Sequence, residues 1–235
     1  MNHLPVVILA GGLATRLRPI TEQIPKILVE VAGRPFAEHQ IRLLKEHDLT
    51  EIILCVGYLG EQVRNVLGDG SKWGVRLRYA FDGPNLLGTG GAIRNVVDLL
   101  GDAFFVLYGD TYLDCEYLSI EAAFHESHKL GLMTAFHNNN QWDRSNILLR
   151  SGNIIRYDKV HKTTDMEHID YGLSVLSSSI FHSYPAQQPF DLATVYQDLI
   201  EQGQMAGYEV FKRFYEIGSP SGLEETRRFL TQKTG

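Results

Sequence analysis

Over residues 5–110 the apolar positions alternate between two spacings. Val6 to Ala10 is an unbroken apolar run that stops at Gly11-Gly12, the pattern of a strand buried on both faces and running into a loop. Pro35 opens a stretch in which Ala37, Ile41 and Leu44 share one helical face, and Glu51 to Gly57 reads as a second buried strand. A helix around Gly60 to Leu67 and a strand from Arg76 to Phe81 follow. Next come a glycine loop, a helix carrying Ala92, Val96 and Leu99, and the strand Ala103 to Tyr108. Strand and helix in turn predict an α/β fold: a parallel or mostly parallel sheet with helices on both faces, ligands sitting beyond the carboxyl ends of its strands.

The second half has a different texture. Leu132 to His137, Asn146 to Arg150 and Asn153 to Asp158 read as antiparallel strands, the last two joined as a hairpin through Ser151-Gly152, so the sheet is predicted to turn mixed. Asp191 is placed to cap a helix presenting Leu192, Val195 and Leu199, and Ser219-Pro220 supplies the cap and first turn of a helix through Leu230. With no internal repeat, linker or low-complexity tract, a single domain over 1–235 is expected.

Composition narrows the function. At 44% hydrophobic and 21% charged residues, disorder and coiled coil are excluded. Lys and Arg number 22 against 28 Asp and Glu, a net charge of −6, so no basic surplus drives nucleic-acid binding and any phosphate site must be local. No apolar run approaches the roughly 20 residues of a membrane span, and Met1 to Pro5 lacks the basic start of a signal peptide, so a cytoplasmic protein is expected. Cys55 and Cys115 make neither a metal quartet nor a disulfide framework and read as reduced, buried thiols.

The segment LAGGLATRLRPITEQIPK, Leu9 to Lys26, carries the sharpest chemistry. Gly11 and Gly12 free backbone N–H groups to face an anion, while Arg16, Arg18 and Lys26 bring fixed positive charge. A solvated turn would need none of these together. No Gly-Lys-Ser/Thr follows, so it is not a P-loop, and Leu13, Ala14 and Thr15 break a dinucleotide fingerprint. A second glycine cluster, Leu87 to Ala92 (LGTGGA), lets backbone approach a ring or ribose at Gly88 and Thr89, or simply makes a tight turn. Asp110 follows the strand FFVLYG, on the side of the first loop, where a carboxylate beside phosphates suits Mg²⁺; Glu216, ending a short strand, is a candidate second ligand. Lys159 suits a second phosphate and Asp158 hydroxyl groups, unless the two are a surface ion pair. Asp82 stands just before the LGTGG loop, where a solvated turn is its ordinary role. His125 and His128 lack a third zinc ligand, and Trp73, Trp142 and the tyrosines read as core, lid or rim.

Taken in order, LAGGLATRL (9–17), PK (25–26), VAGRP (31–35), LGTGGA (87–92), GD (109–110), DK (158–159), DYG (170–172) and EIGSP (216–220) resemble the nucleotidyltransferases that make nucleotide sugars. The likeness is strongest to heptose 1-phosphate guanylyltransferases. It implies a Rossmann-like fold of the nucleotide-diphospho-sugar transferase type, with 1–130 as the nucleotide-binding half and 131–235 as the sugar-phosphate half. It also implies a Mg²⁺-dependent reaction of an NTP, here GTP, with a heptose or mannose-like 1-phosphate. On that likeness Leu9, Ala10, Gly11, Gly12 and Thr15 surround the nucleotide, Gly88 and Thr89 line base and ribose, Asp82 accepts the N1–H and N2–H of guanine, and Arg16 binds the departing phosphates. Lys26 bridges the α-phosphate and the attacking phosphate, Asp110 and Glu216 hold Mg²⁺, and Lys159 holds the sugar phosphate. Asp158 and Gly172 face the sugar, together with Tyr108, Asn146 and Asp170.

Five positions depart from the family pattern. Ala14 replaces a usual glycine, Asp158 and Glu216 exchange the usual Glu and Asp, Asp170 replaces a common asparagine, and Asn146 a common glycine. Other readings of the same residues are cytidylyl transfer to a non-sugar phosphomonoester, or a silent nucleotide-sugar sensor. An acidic chain with spare aromatics permits a homodimer without predicting one.

Overall fold

The apolar runs meet as neighbouring strands. In the computed structural model, which describes residues 3–138 and 140–234, the first strands are β1 (Val6–Ala10), the short ribbon of β2 (Glu30–Val31) and β3 (Arg34–Pro35), β4 (Glu51–Val56), β5 (Arg76–Phe81) and β6 (Ala103–Tyr108). After them come β7 (Thr111–Tyr112), β8 (Gly131–His137), β9 (Ile147–Arg150), β10 (Asn153–Tyr157), β11 (His168–Ser177), β12 (Met205–Val210) and β13 (Tyr215–Glu216). Nine of them form one sheet in the order β5-β4-β1-β6-β11-β8-β12-β10-β9. Only β10 and β11 run against the other strands, so the sheet is mixed but mostly one way.

Alternate side chains of each central strand face opposite layers. Val6 and Ile8 pack with α1 (Phe36–Glu46), α2 (Gly60–Leu67) and α4 (Tyr117–Ser127), while Val7 and Leu9 pack with α3 (Gly88–Arg94) and α5 (Leu192–Glu201). Helices therefore cover both faces. A third apolar cluster docks α6 (Pro220–Thr234) through Leu223 and Leu230 onto Val31, Phe36 and Leu43. Each such side chain, fully buried, contributes about 1.5–3 kcal/mol. That packing fixes where the strand ends lie. The chain leaves β1 for β4 and β5 on one side, then crosses back to β6 on the other, so the strand order reverses between β1 and β6. A crevice opens at such a point, beyond the carboxyl ends of the strands.

Two features differ from the sequence expectation. The helix expected through Leu99 stops at Arg94; Val97–Leu99 is a 3₁₀ turn and Leu99 is 58% exposed. Two central strands, β11 and β12, gave no expectation. In β11 the buried alternation of Ile169, Tyr171, Leu173 and Val175 is interrupted by Gly172 at φ +94° and a register shift between Asp170 and Ser174. In β12 a side chain at Gly207 would overlap Leu149.

The second glycine cluster is also shaped from below. A Cβ on Gly90 would overlap the Phe190 ring, and one on Gly91 would stand 2.5 Å from the Gln188 carbonyl oxygen. Gly12, by contrast, has nothing within 4 Å of its Cβ position. Gly91→Ala is therefore expected to destabilise the fold by about 1–3 kcal/mol, and Gly12→Ala to stay within about 0.5 kcal/mol of the parent, both measured by urea unfolding.

Candidate active site

At the crevice, the turn after β6 is locked through its backbone. Gly109 N–H donates to the Leu9 carbonyl at 2.9 Å, and a Cβ on Gly109 would itself lie 2.9 Å from that oxygen. Ile217 N–H donates to the Asp110 carbonyl at 2.8 Å. Pairing of β7 with β13 sets Glu216 opposite Thr111 and thus beside Asp110. From α1, buried Gln40 donates its amide to the carbonyls of Tyr108 (3.0 Å) and Thr111 (2.7 Å). With the backbone held, the Asp110 side chain meets Lys26, whose Nζ donates to Oδ2 at 2.5 Å. Both groups retain about a fifth of their exposure, 23% and 22%.

Four charges gather here. Oδ2 of Asp110, Oε2 of Glu216 and Nη2 of Arg16 converge on Gly218, where a Cβ would stand 3.0, 2.8 and 3.0 Å from them. Only glycine leaves that space open. Glu216 is held by Ser219, accepting its N–H at 3.1 Å and its hydroxyl at 2.5 Å, and by the N–H of Gly218. The cap of α6 is Ser219, whose Oγ accepts the Gly222 N–H at 3.0 Å, so Glu216 is tied to the start of the helix through that hydroxyl. Two carboxylates aimed at one point fit Mg²⁺, which takes one or two carboxylates and completes its shell from phosphates and water. Among the described residues no group of three or more His, Cys, Asp or Glu could form an all-protein metal cage.

Behind these charges a cleft of about 230 Å³ runs between Leu9, Ala10, Gly11 and Gly12 on one side and Gly88 and Thr89 on the other, with Asp82 in its wall. Asp82 accepts the Leu87 N–H at 3.2 Å, and burial raises its carboxyl pKa. The Thr89 hydroxyl accepts the Leu192 N–H at 2.8 Å and donates to Asp191 at 3.3 Å, tying the glycine loop to the start of α5. Thr15 is exposed in the turn that carries Arg16. Ala14 does adopt the left-handed conformation, φ 49° and ψ 43°, at a cost of about 1–2 kcal/mol. The Thr21 hydroxyl and Leu17 N–H hold its carbonyl at 2.7 and 3.1 Å.

A second chamber, of about 440 Å³, shares Tyr108 with the cleft and contains Arg16, Glu216, Asp170 and Gly172. Asp110 thus stands at the border of the two spaces. The chamber is also lined by Trp142, expected in core, lid or rim, and by Arg213, given no role from sequence, whose guanidinium lies 3.4 Å from the Trp142 ring centroid and bonds to Glu225. Gln40 and Gly218 were also without a role. The signal for Gln40 was a polar residue inside the buried stripe of α1. The remaining sugar-side candidates line neither space. Asn146 is buried and its Oδ1 accepts the Asp170 N–H at 2.9 Å. Asp158 accepts the N–H groups of Val160 and His161 at 2.8 and 2.7 Å, and Lys159 lies 3.8 Å from Asp191, so Lys159 is in a surface ion pair, but with Asp191 in place of Asp158.

Comparison with known proteins follows this geometry. Residues 5–147 match the family model described as nucleotidyl transferase. The chain is 30% identical over 237 residues to a low-salt glycan biosynthesis nucleotidyltransferase of Haloferax volcanii, a match covering 96% of this chain. It spans 66% of that relative's length. Similarity to the D-glycero-α-D-manno-heptose 1-phosphate guanylyltransferase of Campylobacter jejuni is 27% over 220 residues, covering 92% of this chain and 96% of that one. Among solved structures, HddC from Yersinia pseudotuberculosis, complexed with GMP-PN, superposes with a TM-score of 0.79 at 24% identity. The superposition covers 97% of this chain and 100% of HddC, and shows a common fold. No helix among the described residues is long and apolar enough to cross a membrane.

Asp170 offers a direct check on this packing. Its carboxylate accepts the Gly172 N–H at 3.0 Å and the Tyr157 hydroxyl at 3.2 Å, yet desolvation raises its pKa above the ordinary 3.8. A carboxyl that holds its proton more tightly when folded favours folding below its ordinary pKa, and that contribution is lost as pH rises through the raised value. Asp170→Asn keeps an acceptor and removes the buried charge. Its urea midpoint is expected to exceed the parent's at pH 7, the gap closing as pH falls towards 3.8.

Proposed function

This chain belongs to the nucleotidyl transferase family, and from that premise we propose that it transfers a nucleotidyl group from a nucleoside triphosphate to a sugar 1-phosphate, releasing pyrophosphate. The observation that carries the reading is the convergence of Lys26, Asp110, Arg16 and Glu216 between two chambers. The triphosphate would occupy the cleft, its base against the Asp82 wall and its phosphates over Gly11 and Gly12, while the sugar phosphate would enter from the chamber side of Tyr108.

An oxygen of the sugar phosphate attacks the α-phosphorus, the bond to the β-phosphate breaks, and its electrons leave with pyrophosphate. A phosphate monoester is largely dianionic at neutral pH, its second pKa being about 6, so no residue need act as general base. What remains is positioning and charge neutralisation. Lys26 gives up part of its contact with Asp110 to bridge the two reacting phosphates. Arg16, across Gly218, receives the charge that develops on the departing group. Asp110 and Glu216 would hold Mg²⁺, which when bound offsets phosphate charge that two cations cannot balance alone. Lys159, on the rim, would swing from Asp191 to the sugar phosphate.

For substrates the reading is GTP with a heptose or mannose-like 1-phosphate, in a cytoplasmic enzyme. Its support is the guanylyltransferase relative matched over 96% of its length, together with a carboxylate in the cleft that suits the paired donors of guanine. The test is a matrix of four NTPs against sugar 1-phosphates, read by pyrophosphate release with and without Mg²⁺. GTP is expected to give the highest turnover, and Asp82→Asn to narrow its lead. Asp110→Asn should cut turnover at least ~10²-fold with the fold intact. Pyrophosphate released only with a phosphorylated amino alcohol would move the acceptor class; binding without release would make the protein a sensor.

A further inference from the structure

We propose that Gln40, which lines neither chamber and lies on the buried side of α1, is a positioning residue that holds the Asp110 carboxylate ready for its cation. The inference rests on the reaction proposed above. Asp110 lies between the two carbonyls that Gln40 binds, those of Tyr108 and Thr111, at 3.0 and 2.7 Å. One amide thus closes a bracket across the four-residue turn and anchors it to a rigid helix. Because both partners are acceptors, only the NH₂ end of the side chain can face them.

The arrangement leaves a mark. Gln40 is 1% exposed, and its Oε1 is buried with no hydrogen-bond partner. A buried acceptor left unpaired is unfavourable, and a stripe built for stability alone would carry an apolar residue of the same length. The other contacts on the turn do not replace the bracket. The Thr111 hydroxyl bonds only to the Tyr108 carbonyl, at 3.1 Å, Gly109 N–H to Leu9, and Ile217 N–H to the Asp110 carbonyl. None of these reaches the Thr111 carbonyl. Without Gln40 the turn is held from the β7–β13 side and by Leu9 alone, the Thr111 carbonyl loses its partner on α1, and a protein whose carboxylate is misplaced by a fraction of an ångström still folds but binds its cation poorly.

Gln40→Met separates this role from packing, since it keeps the volume, removes the orphaned oxygen and removes both donors. The expected results are a melting temperature within about 2 °C of the parent, an NTP KM within about twofold, and kcat lower by about 10-fold or more. The readout independent of turnover is Mn²⁺ binding, followed by water-proton relaxation with each of the four NTPs and no acceptor. The Mn²⁺ dissociation constant should rise about 10-fold in the variant. An unchanged Mn²⁺ constant would overturn the proposal. So would an NTP KM that rises together with a fall in melting temperature, the sign of general loosening. Gln40→Leu, which carries no donor and no charge, serves if the methionine variant does not fold, with the same expectations for Mn²⁺. A parent protein that releases no pyrophosphate with any pair of substrates would sink the reaction, while the Mn²⁺ comparison would still decide the role of Gln40.

Discussion

An ammonium and a carboxylate 2.5 Å apart, Lys26 and Asp110, tie the loop after β1 to the turn after β6 across the point where the sheet reverses its strand order. In a protein of net charge −6, this pair keeps a phosphate pocket from being acidic before its substrate arrives. It is also exchangeable. In the proposed reaction an entering phosphate would compete with Asp110 for the ammonium, and a divalent cation with Lys26 for the carboxylate, so the resting pair would become two separate binding groups without any movement of the sheet.

The surrounding structure supports that exchange by fixing backbone and leaving charge mobile. Gly109 presses against the Leu9 carbonyl, and Gly218 keeps open the space shared by Arg16, Asp110 and Glu216. The β7–β13 pairing, made by residues far apart in the chain, brings the second carboxylate alongside the first. Two chambers that meet at Tyr108 then place their contents on either side of Asp110.

Much of this was legible because the first half folds in the order in which it is written. Buried parallel strands read as apolar runs, and the loops beyond their carboxyl ends come together, so the meeting of Arg16, Lys26 and Asp110 could be expected before any contact was known. The second half was less legible for a physical reason. β11 enters against the direction of β6, and its polar breaks at Asp170 and Gly172 arise where it turns from core to chamber. The LGTGGA cluster read equally as a ligand approach or a tight turn, and nothing local showed that Gly90 and Gly91 would be pressed by Phe190 and Gln188, about a hundred residues further along. Asp158 and Lys159 looked alike as ion pair or substrate ligands, and nothing local to them distinguishes an Asp191 partner from a phosphate. Gln40 was hidden by the opposite effect, a polar residue inside a stripe whose periodicity is otherwise apolar.

The most direct measurement is a crystal structure of the protein with a non-hydrolysable nucleoside triphosphate analogue and Mg²⁺. The expected density places the phosphates within hydrogen-bond reach of Arg16 and Lys26, with the cation bound to Asp110 and the Lys26–Asp110 contact lengthened. A triphosphate seated elsewhere, or a cleft still empty at millimolar analogue with that ion pair unchanged, would contradict the account.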